Sequence, residues 1–450
     1  MSLITYLLLG LLLLLVFAGV EIAVCLGIIS FLALFLSTGD MEMTMSFLSS
    51  TAYEALRDYV FAVIPLFLLM GEFIARSGIA SDLFWAIDNG LRRVAGRLAY
   101  ATIAGNVVFG CVTGTSVASA TTFTSIAYPQ MKRFGYDRPF SLGLIAGSAC
   151  LGMLIPPSIL MVVWGILTEQ SIGHLCLAGI FPGLILATLM AVHVLIVYWV
   201  RPQWLGEGTN LSQESKDDRE IGRAILAGRD APTPGQLVFS LIGFFAIIMG
   251  ALGGIWLGFF TPTEGAGMGA LIALVISLLK GMRWEGIKDS VLAVGRTATP
   301  LLVIVFAAQL YSRTLSMSGI GLTLQTGMLE SGLPNWGIVL FMIFVWFVLG
   351  MLIDSISIML LTVPIFAPVA TKLGIDPLVF AMVGILVIEA GLLTPPFGII
   401  VYAVKAVIGD EDVSMGKIFM ASTPFWAYLL LINILLFAFP AIATFLPRSM

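Results

Sequence analysis

Residues 151–165 have the sequence LGMLIPPSILMVVWG, and residues 390–404 have the sequence AGLLTPPFGIIVYAV. Each stretch contains a proline pair, Pro156–Pro157 or Pro395–Pro396, inside an otherwise apolar helix, and the two pairs lie 239 residues apart. A proline pair removes two backbone donors and clashes with the preceding turn, so each helix must break there. In a bilayer, the freed carbonyl groups are tolerated only where protein or a watery cavity surrounds them. Matching broken helices in two halves therefore indicate the binding site of a secondary transporter.

The same offset of 239 residues relates positions outside the proline pairs. It pairs Gly135 with Gly374, Asp137 with Asp376, Pro129 with Pro368, and Ser116 with Ser355. Chance coincidence of so many matches is unexpected, so the sequence predicts a duplicated architecture.

The composition excludes an ordinary soluble domain. Of 450 residues, 59% are hydrophobic and only 11% are charged, and the mean hydropathy is +1.05, whereas soluble domains are about 25% charged. A spanning helix needs about 20 mostly apolar residues, and such runs recur along the chain, for example at 178–200, 237–259 and 421–446. We therefore predict an all-α polytopic membrane protein.

A polar segment at residues 201–236 divides the chain into a first repeat, 1–200, and a second repeat, 237–450. Each repeat has scaffold spans, then a small-residue segment, a proline-broken helix and a last span. We predict that the small-residue segments, at about 100–134 and 336–372, are re-entrant helical hairpins. The broken helices are predicted at about 138–170 and 378–407.

Each half then crosses the membrane five times, and the odd number inverts the second half relative to the first. Under this topology, one side carries 18 of the 22 basic residues, and the other carries only Arg57, Arg313, Lys372 and Arg448. The positive-inside rule assigns the basic side, with the connector, to the cytoplasm. Both termini are therefore predicted to be periplasmic.

The predicted hairpin tips are rich in oxygen atoms. The first tip, GCVTGTSVASATT at 110–122, offers the hydroxyl groups of Thr113, Thr115 and Ser116; the second, GMLIDSISI at 350–358, offers Asp354, Ser355 and Ser357. Small residues also permit close helix packing. Next to broken helices, however, hydroxyl, carbonyl and carboxylate oxygens suit a hard cation such as Na⁺.

Ionisable residues within apolar runs give further candidates. Asp354 is the most informative, because a carboxylate in a membrane interior is costly and usually functional. Glu389, two residues before Gly391, is a second candidate. Glu72 is expected to pair with a neighbouring helix, and His193 to form a hydrogen bond within the bundle.

Other functions lack their sequence signatures. The four cysteines show no CxxC spacing, and a net charge of −4 gives no basis for nucleic-acid binding. The chain contains no HExxH motif, no nucleophile with a nearby histidine and no P-loop, so neither an intramembrane enzyme nor ATP-driven transport by this chain is favoured. A channel is a further alternative, but proline-broken helices in inverted repeats suit alternating access better.

Several segments together resemble the large membrane subunit of the tripartite ATP-independent periplasmic (TRAP) transporters. They are GTSVASA, YPQMKRFGYDRPFSLGLIAGSACLGMLIPPSI, AGIFPGL, FTPTEGAGMGAL and IDSISIMLLTVPIFAPVATKLGIDPLVFAMVGILVIEAGLLTPPFG. The resemblance implies an elevator-type secondary transporter in a bacterial inner membrane, driven by a sodium gradient. It also implies a small four-helix membrane subunit and a periplasmic substrate-binding protein that delivers an organic acid, such as a dicarboxylate.

The resemblance also implies ligands. Carried over by position, a first Na⁺ site uses Thr113, Thr115, Gly152, Ile155 and Pro157. A second site, which relies on the internal repeat, uses Asp354, Ser355, Gly391, Thr394 and Pro396. The substrate is expected between the tips, at Ser116, Ser357, Pro156 and Pro395.

The chain departs from the family pattern at the first tip, where Thr115 replaces a common serine and Ser119 stands where an acidic residue is common. Threonine keeps the hydroxyl chemistry, whereas any role of that acid is absent here. The alternative function is a self-sufficient Na⁺/anion symporter that needs no binding protein.

Overall fold

The structure is a computed structural model that describes residues 2–91, 94–206, 233–409 and 413–449. Within these ranges the chain forms helices and no strands, and one isolated bridge pairs Tyr136 with Leu205. The fold class predicted from the sequence, all-α, is confirmed.

The helices of the first half are α1 (Ser2–Phe17), α2 (Ile22–Thr38), α3 (Met41–Arg57), α4 (Val63–Ser77), α5 (Ile79–Gly90), α6 (Arg97–Thr113), α7 (Ser116–Ile126), α8 (Tyr128–Arg133), α9 (Arg138–Ala149), α10 (Leu151–Leu154), α11 (Ile159–Thr168) and α12 (Ile172–Val200). Those of the second half are α13 (Pro234–Ile248), α14 (Gly254–Trp256), α15 (Pro262–Leu279), α16 (Trp284–Met317), α17 (Ile320–Leu329), α18 (Asn335–Gly350), α19 (Ser355–Lys372), α20 (Pro377–Leu392), α21 (Ile399–Ile408), α22 (Met415–Ala438) and α23 (Ala441–Arg448). Two 3₁₀ turns, Tyr59–Ala62 and Pro202–Trp204, and a π-helical segment, Met249–Gly253, complete the described elements.

Matching helices begin at positions related by the sequence offset. Helices α7 and α19 begin at Ser116 and Ser355, and α9 and α20 begin at Arg138 and Pro377. The last two follow capping aspartates: Asp137 accepts a hydrogen bond from the Phe140 N–H and Asp376 from the Leu378 N–H, both at 2.9 Å. A capping side chain satisfies a free N–H at a helix start, so the duplicated sequence fixes both starts. The inversion of one half relative to the other stays a prediction.

Seven helical segments of the described chain are long and apolar enough to cross a membrane. They are Tyr59–Ser77, Ile172–Val200, Pro234–Trp256, Pro262–Leu279, Trp284–Met317, Ser355–Lys372 and Met415–Ala438. An eighth is a bent pair, Arg138–Leu154 with Ile159–Thr168, whose axes differ by 42°. The ten predicted crossings would add α1, α2 and the second broken helix, and would treat α19 as a hairpin arm. That count stays a prediction.

Two apolar runs have other helix boundaries than the sequence indicated, and one helix was not predicted. The apolar run 421–446 is two helices, α22 and α23, because the chain leaves the helical conformation at Phe439, before Pro440. The apolar run at residues 297–312 lies within the 34-residue α16, whose polar first turns extend beyond that run. Helix α3 was not predicted; Asp40 caps it by accepting hydrogen bonds from the N–H groups of Glu42 and Met43.

The two halves interlock through equivalent contacts. Away from the proline breaks, α4 packs on α15 and α2 packs on α16. Around the breaks, α7 of the first hairpin packs on α21, and α11 packs on α19 of the second hairpin. Trp164 and Trp346, one from each half, meet edge to face with ring centroids 5.9 Å apart. Each hairpin therefore rests on the broken helix of the opposite half as well as its own.

Ion pairs join residues that the predicted topology assigns to the same side. On the predicted cytoplasmic side, Lys280 pairs with Asp82, and Arg76 lies 3.8 Å from Asp289. On the opposite side, Arg313 pairs with Glu54, and Arg448 lies 2.8 Å from Asp376. Most of the 201–236 connector lies outside the described residues.

Cysteine labelling tests which side is the cytoplasm. Glu285 and Glu330 are both exposed, and the topology places them on opposite sides. In a background without the four native cysteines, we expect Glu330→Cys to react with a membrane-impermeant maleimide in spheroplasts. Glu285→Cys should react only after lysis. The reverse pattern would contradict the predicted orientation.

Candidate functional site

The first hairpin tip lies against the first proline break. Helix α6 ends at Thr113, and Gly114 reverses the chain with φ of 59°, a value that favours glycine. The Gly114 carbonyl accepts a hydrogen bond of 3.4 Å from the Ile159 N–H, directly after the break. A Cβ at Gly114 would lie 3.0 Å from the Pro157 carbonyl oxygen. The fold therefore brings the tip and the non-helical carbonyls of the break together.

Glycines let the hairpins approach the broken helices at backbone distance in both halves. A Cβ at Gly110 would lie 2.3 Å from the Gly152 Cα, and a Cβ at Gly391 would lie 2.6 Å from the Gly350 Cα. The sequence predicted Gly152 and Gly391 as cation ligands. These glycines make room for a helix crossing that places each tip beside its break.

The other predicted residues of the first site have the following positions. Thr115 is the half-buried N-cap residue of α7, and its side chain makes no capping hydrogen bond. Ile155 is half-buried with extended backbone, and Pro156 and Pro157 are buried and joined by a cis peptide bond. Only the backbone of Thr113 is described, as the last residue of α6.

The second tip carries the predicted carboxylate. Asp354 is exposed and caps α19: it accepts a hydrogen bond of 3.0 Å from the Ser357 N–H and another from the Ser357 hydroxyl. The Ser355 hydroxyl donates to Glu389 Oε1 at 2.9 Å. Thr394 uses its hydroxyl to bond the Ala390 carbonyl at 2.7 Å. Three of the predicted second-site side chains thus have protein partners already.

The two breaks differ in exposure. Pro156 and Pro157 are buried, whereas Pro395 and Pro396, also joined by a cis bond, are exposed together with Phe397. The Asp354 tip beside the second break is exposed as well. One of two equivalent sites is therefore covered by protein while the other is open.

Glu389 lies where the two halves meet. Its side chain is fully buried, and beside its carboxyl group lie Ser355 from its own half and Ser116 and Cys150 from the first half. The repeat offset relates Cys150 to Glu389 and Ser116 to Ser355. Glu389 was identified in the sequence as a second candidate, whereas Cys150 had no predicted role.

A second buried polar network was not predicted. The Asn106 amide donates to the Ser148 hydroxyl at 2.7 Å, and Ser119 donates to the Asn106 carbonyl oxygen at 3.1 Å. Through these hydrogen bonds Ser119 helps to join α6, α7 and α9. An asparagine within the apolar run AGNVVFG was the signal that could have revealed it.

Two expectations about other ionisable residues have clear outcomes. Glu72 pairs with Arg76 on its own helix at 2.6 Å, so the predicted partner on a neighbouring helix is wrong. His193 forms the expected bundle hydrogen bond, between its Nδ1 and the Tyr428 hydroxyl at 2.9 Å. Both residues lie outside the tips.

The donor set at the tips is made of oxygen atoms. Among the described residues, no three His, Cys, Asp or Glu side chains cluster as a metal site requires. A site made of carbonyl and hydroxyl groups with few carboxylates suits a monovalent hard cation rather than a transition metal. Na⁺ fits this chemistry.

Comparison with known proteins assigns the family. The model of the tripartite ATP-independent periplasmic transporter DctM component matches residues 9–442. The chain belongs to this family. It is therefore a large membrane subunit of a TRAP transporter, a multi-pass transporter subunit and not an enzyme.

Curated relatives extend over most of this DctM-family chain. The C4-dicarboxylate TRAP transporter large permease protein DctM of Pseudomonas aeruginosa is 32% identical over 88% of both chains. The ectoine/5-hydroxyectoine large permease protein UehC of Ruegeria pomeroyi is 30% identical over 93% of this chain and 92% of its own. The sialic acid large permease protein SiaM of Vibrio cholerae is 25% identical over 96% of both.

A solved structure shares the fold. The crystal structure of the YdaH transporter of Alcanivorax borkumensis superposes with a TM-score of 0.62 over 91% of this chain and 90% of its own, at 15% sequence identity. At that identity the likeness concerns the fold alone.

Proposed function

We propose that this TRAP subunit takes up an organic acid across the bacterial inner membrane by an elevator mechanism coupled to Na⁺. The observation that carries the proposal is the pair of equivalent assemblies, in each of which a hairpin tip meets a proline break through a glycine crossing. Each assembly brings together hydroxyl groups and the backbone carbonyls of non-helical residues. Such oxygens coordinate Na⁺ in transporters with broken helices.

The helix starts at the tips supply the complementary interaction. Helices α7 and α19 begin at Ser116 and Ser355, and a helix N-terminus favours a negative charge. A carboxylate bound between the tips would meet both N-termini together with Ser116, Ser357, Pro156 and Pro395. Cation binding would order the tips that form the walls of the substrate site, and this couples the two events.

The unequal exposure of the two breaks supports alternating access. An elevator domain that exposes one face at a time would cover one tip and open the other, as with the buried Pro156–Pro157 and the exposed Pro395–Pro396. The helices that pack away from the breaks, α2, α4, α15 and α16, would form the scaffold.

The names of the relatives support a proposal for the substrate class and for the partner proteins. Three of them are named for C4-dicarboxylates, ectoine and sialic acid, each of which carries a carboxylate. We propose a carboxylate substrate delivered by a periplasmic binding protein, and a small membrane subunit beside this chain. The isethionate TRAP transporter permease protein DctMQ of Oleidesulfovibrio alaskensis, which is named for a sulfonate, is 25% identical over 95% of this chain and 64% of its own length.

Proteoliposomes test the coupling. With the small subunit and a loaded binding protein, we expect uptake with an inward Na⁺ gradient and only background uptake when K⁺ replaces Na⁺. Uptake that is indifferent to Na⁺ would contradict the proposal. Uptake with free substrate and no binding protein would instead support the self-sufficient symporter.

A further inference from the structure

The interface between the two halves buries a carboxyl group that the two tip sites do not use. Glu389 is 0% exposed, in the last turn of α20. In the described part of the chain, no lysine, arginine or histidine forms an ion pair with it. A buried carboxylate without a compensating charge is strongly unfavourable. An acidic residue kept in a membrane interior therefore suggests a bound partner.

The hydrogen bonding of Glu389 is incomplete. Oε1 accepts the Ser355 hydroxyl at 2.9 Å. Within the described residues, neither Oε2 nor the hydroxyl oxygen of Ser116, which is 1% exposed, has a hydrogen-bond partner of acceptable geometry, although Ser116 lies beside the carboxyl group. Two buried oxygens without a hydrogen-bond partner thus lie at the same carboxyl group. Because an unsatisfied buried polar group is destabilising, a ligand that contacts both oxygens would be stabilising.

The cluster shares Ser116 and Ser355 with the predicted tip sites and adds Glu389 and Cys150, which those sites do not use. Ser116 and Cys150 come from the first half, and Ser355 and Glu389 are their counterparts in the second half, each 239 residues later. The duplicated halves therefore meet here around equivalent positions. The equivalence is broken at one pair, where the first half has a thiol and the second half a carboxyl group.

We propose that Glu389 binds a monovalent cation between the halves, with the hydroxyl oxygens of Ser116 and Ser355 as further ligands, in addition to one cation site at each tip. One carboxylate and one monovalent charge leave the buried site neutral. Hydroxyl and carboxylate oxygens suit Na⁺. Because Ser116 starts α7 and Ser355 starts α19, the bound ion would contact both tips. Cation binding at one tip would then affect cation binding at the other.

This inference rests on the Na⁺ coupling proposed above, and Na⁺ binding tests it without transport. The full chain, purified with its small subunit in nanodiscs, is titrated with NaCl at constant ionic strength in choline chloride, and its melting temperature is followed. For Glu389→Gln we expect the Na⁺ concentration at half-maximal stabilisation to rise at least about tenfold, equivalent to about 1.4 kcal/mol of binding free energy. Ser116→Ala should shift it in the same direction by less.

Glu264→Gln is the matched control, because Glu264 is an exposed capping-box residue at the start of α15 and glutamine also serves in that box. Its Na⁺ response should equal that of the wild type. If Glu389→Gln responds like the wild type, Glu389 is a neutral hydrogen-bonding group and the inference is overturned. If Glu389→Gln does not fold, Ser116→Ala decides: a rise supports the site, and no change overturns it.

Parallel uptake measurements separate this inference from the proposed function. Wild-type uptake that ignores Na⁺ would contradict the Na⁺ coupling, even if Glu389→Gln loses Na⁺ stabilisation. Na⁺-dependent wild-type uptake together with an unchanged Na⁺ response of Glu389→Gln would overturn the interface site alone.

Discussion

Gly391→Val is expected to abolish uptake and to lower the thermal stability of the protein. A Cβ at Gly391 would lie 2.6 Å from the Gly350 Cα and 2.7 Å from the Phe347 carbonyl oxygen. These are backbone atoms, so no flexible side chain can move away. Overpacking by even a methyl group typically costs about 1–3 kcal/mol. Valine adds two further carbons, and α18 and α20 must separate at the point where the second tip meets its break.

Gly391→Ala and Gly295→Ala form a matched pair for this prediction. Gly295 lies inside α16, is exposed, and has nothing within 4 Å of an added Cβ. Alanine in an exposed helix interior is favoured over glycine by about 1 kcal/mol, so Gly295→Ala should raise the melting temperature and Gly391→Ala should lower it. A Gly391→Val protein with wild-type melting and uptake would contradict the close crossing.

Much of the fold could be predicted from the sequence because its determinants are local. Pro156–Pro157 and Pro395–Pro396 must interrupt helices, and the structure shows both interruptions. The repeat offset related Asp137 to Asp376, and the structure shows that each caps a helix. Apolar runs of the length of a bilayer predicted the long helices. The tip sequences at Gly114 and Asp354 predicted where the hairpin arms turn.

The errors arise where local sequence does not determine the outcome. Helix α16 begins at Trp284, well before its apolar core, because a helix can extend through polar residues that include no helix breaker. The sequence predicted a partner for Glu72 on a neighbouring helix, whereas Glu72 pairs with Arg76, one turn away on its own helix. Because residues 421–446 read as one apolar run, the sequence did not predict the end of α22 before Pro440.

The meeting of Cys150 with Glu389 could not be predicted from either half alone. It depends on how α9 and α10 approach α20 in three dimensions, which no periodicity encodes. The offset of 239 residues relates the two positions, but equivalent positions come into contact only if they lie near the axis that relates the halves. Neither half of the sequence specifies that placement.

Asp354→Asn is expected to reduce Na⁺-driven uptake at least about tenfold, which corresponds to about 1.4 kcal/mol. Asp354 caps α19 through the Ser357 N–H, and asparagine is as good a capping residue as aspartate. The substitution therefore keeps the helix start and removes only the charge, which we propose attracts Na⁺ at the second tip. Uptake is measured in proteoliposomes over a range of Na⁺ concentrations.

Asp354→Ala separates the cap from the charge. Because alanine cannot cap, it should lower both uptake and stability, the latter by about 0.5–2 kcal/mol, whereas Asp354→Asn should lower uptake alone. Asp376→Asn is the control: Asp376 also caps a helix and pairs with an exposed arginine, Arg448, away from the tip. It should retain uptake, since an exposed ion pair contributes about 0–1 kcal/mol. Full uptake by Asp354→Asn, with loss only in Asp354→Ala, would show that Asp354 shapes the tip and does not bind the ion.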